Sequence, residues 1–131
     1  MFFKEKSSNN WGRNVYSKPK KIEPKNLFGL KNIIKKKSYI IIGNQRSFGD
    51  VAVNNNLSIS LKNFNKIKNF DYKKGIIEIE SGFLIKDLLP IIVNKGWFLS
   101  VTPGTKYVSI GGMIANNVHG KNSYKNQTKY Y

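Results

Sequence analysis

Residues 103–122 read PGTKYVSIGGMIANNVHGKN, and no other stretch constrains the fold of this chain as strongly. A Pro-Gly turn leads into a β-type run, a Gly-Gly break, a series of small residues and the single histidine, His119. Gly104, Gly111 and Gly112 carry no Cβ, so the segment can lie close against another backbone or a large flat ligand. A second stretch of this kind, GNQRSFGD at residues 43–50, follows a β-branched run. Backbone N–H groups at the end of a strand can hold phosphate oxygens. Arg46 would add a fork-shaped cation and Ser47 a hydroxyl donor. Taken alone, residues 43–50 read equally well as a surface loop of ordinary turn residues. They are not a Walker loop, because Gly-Lys-Ser/Thr is missing.

Composition narrows the class. At 131 residues with 40% hydrophobic and 13% aromatic content, the chain can build a packed core. No cysteine is present, which excludes disulfides, thiolate metal sites and a cysteinyl cofactor link. One histidine and no cysteine make no metal-ligand set. No apolar run is long enough to cross a bilayer, and MFFKEKSSNN lacks the apolar core of a signal peptide, so a cytoplasmic protein is the expectation. The charge is strongly positive: 23 basic against 7 acidic residues, net +16. That invites a nucleic-acid reading. Against it, only Arg13 and Arg46 are arginines, and nucleic-acid sites favour the bidentate fork that lysine lacks. The lysines are scattered among Asn and Ile, as biased codon usage would place them.

The pattern along the chain is irregular. Residues 1–10 are polar and read as a loose terminus, with one domain from residue 11 to residue 131. Residues 18–25, with Pro19 and Pro24, read as extended linker. Asn26 is placed to cap a helix running to about Lys36, with Leu27, Leu30, Ile33 and Ile34 inward. Residues 38–42 read as a buried strand, 44–56 as a loop, and 57–61 and 76–80 as alternating strands. Ile77 and Ile79 share one face of the last; Glu78 and Glu80 are its wet face, not a catalytic pair. A helix is expected over residues 84–94, with Leu84, Leu88, Ile91 and Ile92 inward. Asp87 could cap it, Pro90 would kink it unless its regular turns start near Asp87, and Lys95-Gly96 would end it. Residues 97–101 read as a short strand. Ser109 to Gly112 then opens a short helix whose N-terminus would favour an anion. The class is α+β or α/β with short sheets. A lone histidine is more often structural or exposed than catalytic, and no second acid–base group stands near His119 in the sequence. Asp50 either takes part in a site or fixes its own loop by bonding backbone N–H groups.

At these residues the chain resembles the vanillyl-alcohol oxidase/p-cresol methylhydroxylase superfamily of flavoproteins, on the side of the decaprenylphosphoryl-ribose oxidases and the sugar and alditol oxidases. Trp11-Gly12-Arg13, GNQRSFGD at 43–50, PGTKYVSIGG at 103–112 and ANNVHGKN at 115–122 occur in the family's order. The last two, contiguous and ending in HGKN, are the specific ones. The resemblance implies the first subdomain of a PCMH-type FAD-binding domain, α+β, a small sheet flanked by helices. It implies that Gly43, Asn44, Gln45, Arg46, Ser47, Phe48, Gly49 and Asp50 wrap the FAD pyrophosphate. Gly104 with Ser109, Ile110, Gly111 and Gly112 would follow the pyrophosphate and ribityl chain. Asn116, Asn117, Val118 and His119 would line the isoalloxazine, with His119, Lys121 and Phe48 toward the substrate. Phe48 stands where the ribose oxidases carry a tyrosine, so any role of that hydroxyl is lost. Arg46 stands where some alditol oxidases tether FAD to a histidine, so the resemblance implies non-covalent FAD. The substrate implied is a sugar or polyprenyl-phospho-sugar, which admits membrane association. Residues 122–131 finish no element, and the family's second flavin subdomain and substrate domain have no counterpart. The expectation is therefore an N-terminal part, completed by a further domain or a second chain, weak in FAD binding and inactive alone. A reductase on the same fold and a small basic nucleic-acid-binding module stay open as alternatives.

Overall fold

The computed structural model describes residues 8–35 and 38–120. They form two compact units, Met1–Phe64 and Asn65–Tyr131. Both are mixed α/β, with short strands beside single helices.

The first unit is organised by its central strand. Strands β1 (Ser8–Asn9) and β2 (Tyr16–Ser17) pair antiparallel, where the sequence read as loose. Strand β3 (Lys20–Ile22) precedes α1 (Leu27–Ile34), β4 (Ile40–Ile42) and β5 (Leu57–Ser60). The three strands form a parallel sheet in the order β3-β5-β4. Lys20–Ile22 is therefore sheet, not linker: it pairs Lys20 with Leu57 and Ile22 with Ile59. Ile22, Leu57 and Ile59 pack with Ile33 and Leu30 of α1. Burying Ile59 completely contributes about 2–3 kcal/mol. All four residues of β5 are buried, including Ser58 and Ser60. Alternation suggested one wet face, but the middle strand of a parallel sheet is covered on both. Strand β4 is the converse. It was expected to be buried, yet as an edge strand it leaves Ile41 exposed and buries only Ile42.

The expected cap is present on α1: the Asn26 side chain accepts from Gly29 N–H at 2.8 Å. Its inward face is narrower than the sequence suggested. Ile33 is buried and Leu30 packs beside it, whereas Leu27 and Ile34 are exposed. A helix lying on three short strands covers them with about one residue per turn.

The second unit begins with a strand that sequence alternation did not reveal, β6 (Ile67–Asp71), paired antiparallel with β7 (Ile76–Ile79). A bulge between Ile67 and Asn69 hides its period of two. The turn falls where expected. Asp71 Oδ1 accepts from the N–H groups of Lys73 and Lys74, each at 3.1 Å. Gly75 takes φ +68°. Ile77 and Ile79 face a core of Ile85, Leu88, Ile92 and Met113.

Helix α2 (Ile85–Val93) runs through Pro90, with Leu88 and Ile92 buried as expected, but Ile91 exposed and Ile85 taking the inward place given to Leu84. It ends at Gly96, φ +80°, with Gly96 N–H bonding Val93 O and Trp97 N–H bonding Ile92 O. Residues 97–101 form no strand. Their path follows a different need: Trp97 reaches the hairpin turn. Its indole N–H donates to Tyr72 O at 2.6 Å, and its ring lies against Gly75.

Two predictions follow from these contacts. A Cβ at Gly75 would come within 2.6–2.8 Å of the Trp97 ring, on a backbone that L-residues rarely adopt. Gly75→Ala should cost about 1–3 kcal/mol in chemical unfolding, with Trp97→Leu on the same background recovering part of it. In the first unit, Glu23 is bonded by Lys62 and by Lys21 at 3.3 Å. Burial raises the Glu23 pKa, but these two lysines outweigh it and hold the carboxyl below its ordinary value. The stabilisation is therefore present above the unfolded-state pKa and is lost as pH falls through the lower folded one. Urea unfolding of wild type and Glu23→Gln should differ by up to about 1 kcal/mol at neutral pH. The two curves should begin to approach each other near the carboxylate reference value of about 4.3 and converge only once pH has fallen through the lower folded-state pKa.

Candidate functional site

In the first unit the loop of residues 43–50 leaves the carboxyl end of β4. In open parallel sheets, ligands bind outside that end of the strands. Gly43, Asn44, Phe48, Gly49 and Asp50 are exposed, and Gln45, Arg46 and Ser47 are half-buried. Gln45 takes φ +51° and Gly49 φ +65°. The Asp50 carbonyl accepts from Val53 N–H at 2.8 Å, closing the turn that follows.

What holds this loop comes from far away in sequence. The N–H of Trp11 donates to Ser47 O at 2.9 Å, and the Arg46 guanidinium lies over the Trp11 ring, 4.5 Å from its centre. Trp11 is itself placed by a tight turn around Asn10. The buried Asn10 side chain accepts from Asn14 N–H at 3.1 Å and Val15 N–H at 3.3 Å, and donates to Asn14 Oδ1. Arg13 turns the chain with φ +54°. The Trp-Gly-Arg block and the GNQRSFGD block are thus one structural feature, a link that sequence reading left as two blocks. An aromatic-plus-cation pair was the available signal.

In the second unit the glycine-rich stretch is arranged by reciprocal capping. The N–H groups of Ile85 and Lys86, opening α2, donate to Val108 O and Lys106 O at 3.0 and 2.8 Å. The N–H groups of Ile110 and Gly111, opening α3 (Ile110–Ala115), donate to Phe83 O and Ser81 O at 2.9 and 2.8 Å. Asp87 therefore does not cap α2; it lies in the first turn. Ser109, buried, caps α3 through its Oγ, which accepts from Gly112 N–H at 3.3 Å. Gly111 and Gly112 lie inside the helix instead of before it. The expectation of a helix start open to an anion is corrected by these bonds, because the N–H groups of Ile110, Gly111 and Gly112 all have partners within the unit. Gly111 serves the crossing of two backbones: a Cβ there would come within 2.9 Å of Ser81 Cβ.

The far end of α3 closes with Asn117 in the left-handed region, φ +44°. Asn117 N–H bonds Ile114 O, and Val118 N–H bonds Met113 O, each at 3.0 Å. Val118 joins the core, and the Asn116 side chain donates back to Gly112 O at 2.8 Å. His119 follows directly and is exposed. Gly120 then passes so close to the Thr102 backbone that no Cβ fits. His119 is thereby held between two fixed points beside the Pro103-Gly104 turn. Gly104 has open space where its Cβ would be. Lys121 lies outside the described residues. Among the described residues no cluster of His, Cys, Asp or Glu is suited to a metal, and no helix is long and apolar enough to cross a membrane.

The sequence model of the FAD binding domain family matches residues 32–129, which include both glycine-rich segments. Over 80 residues the chain is 32% identical to the decaprenylphosphoryl-β-D-ribose oxidase of Mycolicibacterium smegmatis, covering 60% of this chain and 17% of that protein. It is 32% identical over 77 residues to the D-lactate dehydrogenase of Anaerostipes hadrus, covering 59% and 16%. Cholesterol oxidase from Brevibacterium sterolicum shares the fold with a TM-score of 0.75 at 15% identity, over 91% of this chain and 25% of that one. With so long a match to its sequence model, the chain belongs to the FAD binding domain family. It spans only about a sixth of the length of these curated relatives.

The α3 closure gives a direct test of how His119 is placed. Asn117→Gly should leave stability within about 0.5 kcal/mol, whereas Asn117→Val should cost about 1–2 kcal/mol, because a β-branched residue resists the left-handed region. Thermal unfolding of the two variants checks the order.

Proposed function

We propose that this chain supplies the flavin-binding portion of an oxidoreductase that oxidises a carbinol carbon of a sugar or alditol. The observation that carries the reading is the loop at residues 43–50, set at the carboxyl end of a parallel strand and held there by Trp11. Support for carbinol chemistry comes from the relatives. They act on a decaprenylphosphoryl ribose, on D-lactate and, in an L-gulonolactone oxidase from mouse 28% identical over 79 residues, on a sugar lactone. The sugar or alditol assignment follows the motif likeness of residues 103–122.

The residues present suit the cofactor. Gly49 and Gly104 have nothing within 4 Å of a would-be Cβ, so a ligand can lie against backbone at both places. Arg46 supplies a cation beside the first. Gly43 to Asp50 would hold the pyrophosphate. Gly104 and residues 109–112 would follow the pyrophosphate and ribityl chain by surface contact, since the α3 N–H groups are already bonded. Asn116, Asn117, Val118 and His119 would border the isoalloxazine, with His119, Lys121 and Phe48 toward the substrate. FAD supplies the redox chemistry, accepting a hydride from the carbinol carbon. The protein's part is to bind, orient and exclude water. With Arg46 where a tethering histidine would stand and no cysteine in the chain, attachment is non-covalent.

Titration of the chain with FAD, followed by flavin fluorescence, should show saturable binding weaker than about 1 μM. Acid precipitation should leave all yellow colour in the supernatant. Absence of binding up to millimolar FAD would overturn the reading, and a yellow pellet would overturn the non-covalent assignment.

A further inference from the structure

We propose that Asn10 is a positioning residue for FAD: its buried side chain builds the turn that lays the Trp11 backbone against Ser47, and that bond presets the loop of residues 43–50. The inference rests on the FAD reading above and extends it to a part of the chain outside residues 32–129, the span that matches the family.

Asn10 follows β1 and opens the connection to β2, residues 10–15. Each of these strands is two residues long, and so short a hairpin is marginal without further support. One side chain supplies it. Asn10 is 5% exposed, and its amide works at both ends. Its Oδ1 accepts from Asn14 N–H at 3.1 Å and Val15 N–H at 3.3 Å, and its Nδ2 donates to Asn14 Oδ1 at 2.6 Å. Its carbonyl accepts from Arg13 N–H at 3.1 Å. The turn is drawn so tightly that a Cβ on Gly12 would stand 3.3 Å from Asn14 Oδ1 and 3.8 Å from Asn10 Nδ2. Trp11 is carried between Asn10 and Gly12, so the same bonds set the place of its N–H.

The loop gains from being held at that place. Gln45 has φ +51°, a left-handed conformation that a residue with a Cβ keeps only where its surroundings impose it. Two residues on, the Ser47 carbonyl accepts from Trp11 N–H at 2.9 Å. That bond uses the Trp11 backbone, so it depends on where the turn puts the chain and not on the indole. A loop already ordered has less freedom to lose when a ligand binds it. Asn10 thereby acts on FAD affinity without touching FAD.

The test compares the full chain as wild type, Asn10→Ala, Asn10→Asp, Gly12→Ala and Ile33→Val. Asn10→Ala removes the three side-chain bonds. It should raise the FAD Kd, followed by flavin fluorescence, about tenfold. Asn10→Asp keeps the acceptor, and the Asn14 amide can turn to donate to it, so affinity should return to within about threefold of wild type. Gly12→Ala presses on Asn14 Oδ1, should raise the Kd about threefold, and carries the test if Asn10→Ala does not fold. Ile33→Val thins the core beside α1 without touching the turn, so it should lower the melting temperature and leave FAD affinity unchanged. Wild-type affinity in Asn10→Ala, or in Gly12→Ala where that variant stands in for it, overturns the proposal. Loss of affinity in Ile33→Val equal to that in Asn10→Ala overturns it too, because general destabilisation would then account for both. Hydrogen exchange supplies the readout without FAD. In Asn10→Ala the amides of residues 44–50 should exchange about tenfold faster and those of Leu57–Ser60 at the wild-type rate. Saturating FAD should slow the loop again. Unchanged loop exchange in Asn10→Ala overturns the proposal even if wild type binds FAD. Wild-type chain that binds no FAD overturns the flavin reading, and this role toward FAD with it, whatever the loop amides show.

Discussion

The second unit depends on two helix starts that satisfy each other. A helix leaves its first N–H groups without intrahelical partners, and side-chain caps usually serve some of them. Here α2 has no side-chain cap, and backbone carbonyls of residues 106 and 108 take its leading donors. The segment that carries those carbonyls continues into α3, whose leading donors return to Ser81 and Phe83. Each helix can begin only where the other's approach segment lies. That mutual requirement fixes where Gly111 must be, because the two backbones approach too closely at Ser81 for a Cβ. It also fixes the direction of α3, and through the Asn117 closure it fixes His119.

The same bonds decide what the glycines do. Glycine next to a helix start invites an anion-binding interpretation, and the chain's net charge of +16 makes it attractive. The hydrogen-bond inventory says otherwise for α3. Its leading N–H groups are bonded inside the unit, so the glycines serve approach of backbone to backbone. The loop at 43–50 is joined to Trp11 through Ser47 O and through the Arg46 side chain.

Local chemistry was legible where a single residue type determines a geometry. Asn26 as a cap, Gly96 as a helix end, Asp71 and Gly75 as a hairpin turn and the long polar loop after β4 were all readable, since each depends on its own neighbours. What stayed hidden depends on partners distant in sequence. Ser58 and Ser60 look wet until β3 and β4 flank them. Residues 97–101 look like a strand because Trp, Phe, Leu and Val favour one, yet the Trp97 bond to Tyr72 decides their path. Leu27, Ile34 and Ile91 follow the helical period but fall beyond the narrow stripe that short strands can cover. The motif order pointed to the family directly, because the likeness rests on glycine and histidine at particular spacings in residues 103–122. The substrate stayed hidden for a plainer reason: the chain spans only about a sixth of the length of these relatives.

One feature of composition connects these levels. The chain fills almost every cationic position with lysine, and among the described residues Lys95 lies 5.6 Å from the Tyr72 ring and Lys106 5.9 Å from the Tyr107 ring. These are at the outer limit of a cation–π contact, as expected for a strongly hydrated ammonium on a flexible stem. Arg46 lies closer to its ring, 4.5 Å from the centre of Trp11. Lysine in that place would keep the charge but lose the planar group. The arginine is therefore informative because the background is lysine. Where charge alone suffices, as around Glu23, lysine provides it. Where a planar cation lies over a ring, in the loop that follows β4, the sequence uses one of its two arginines and places a tryptophan beneath it.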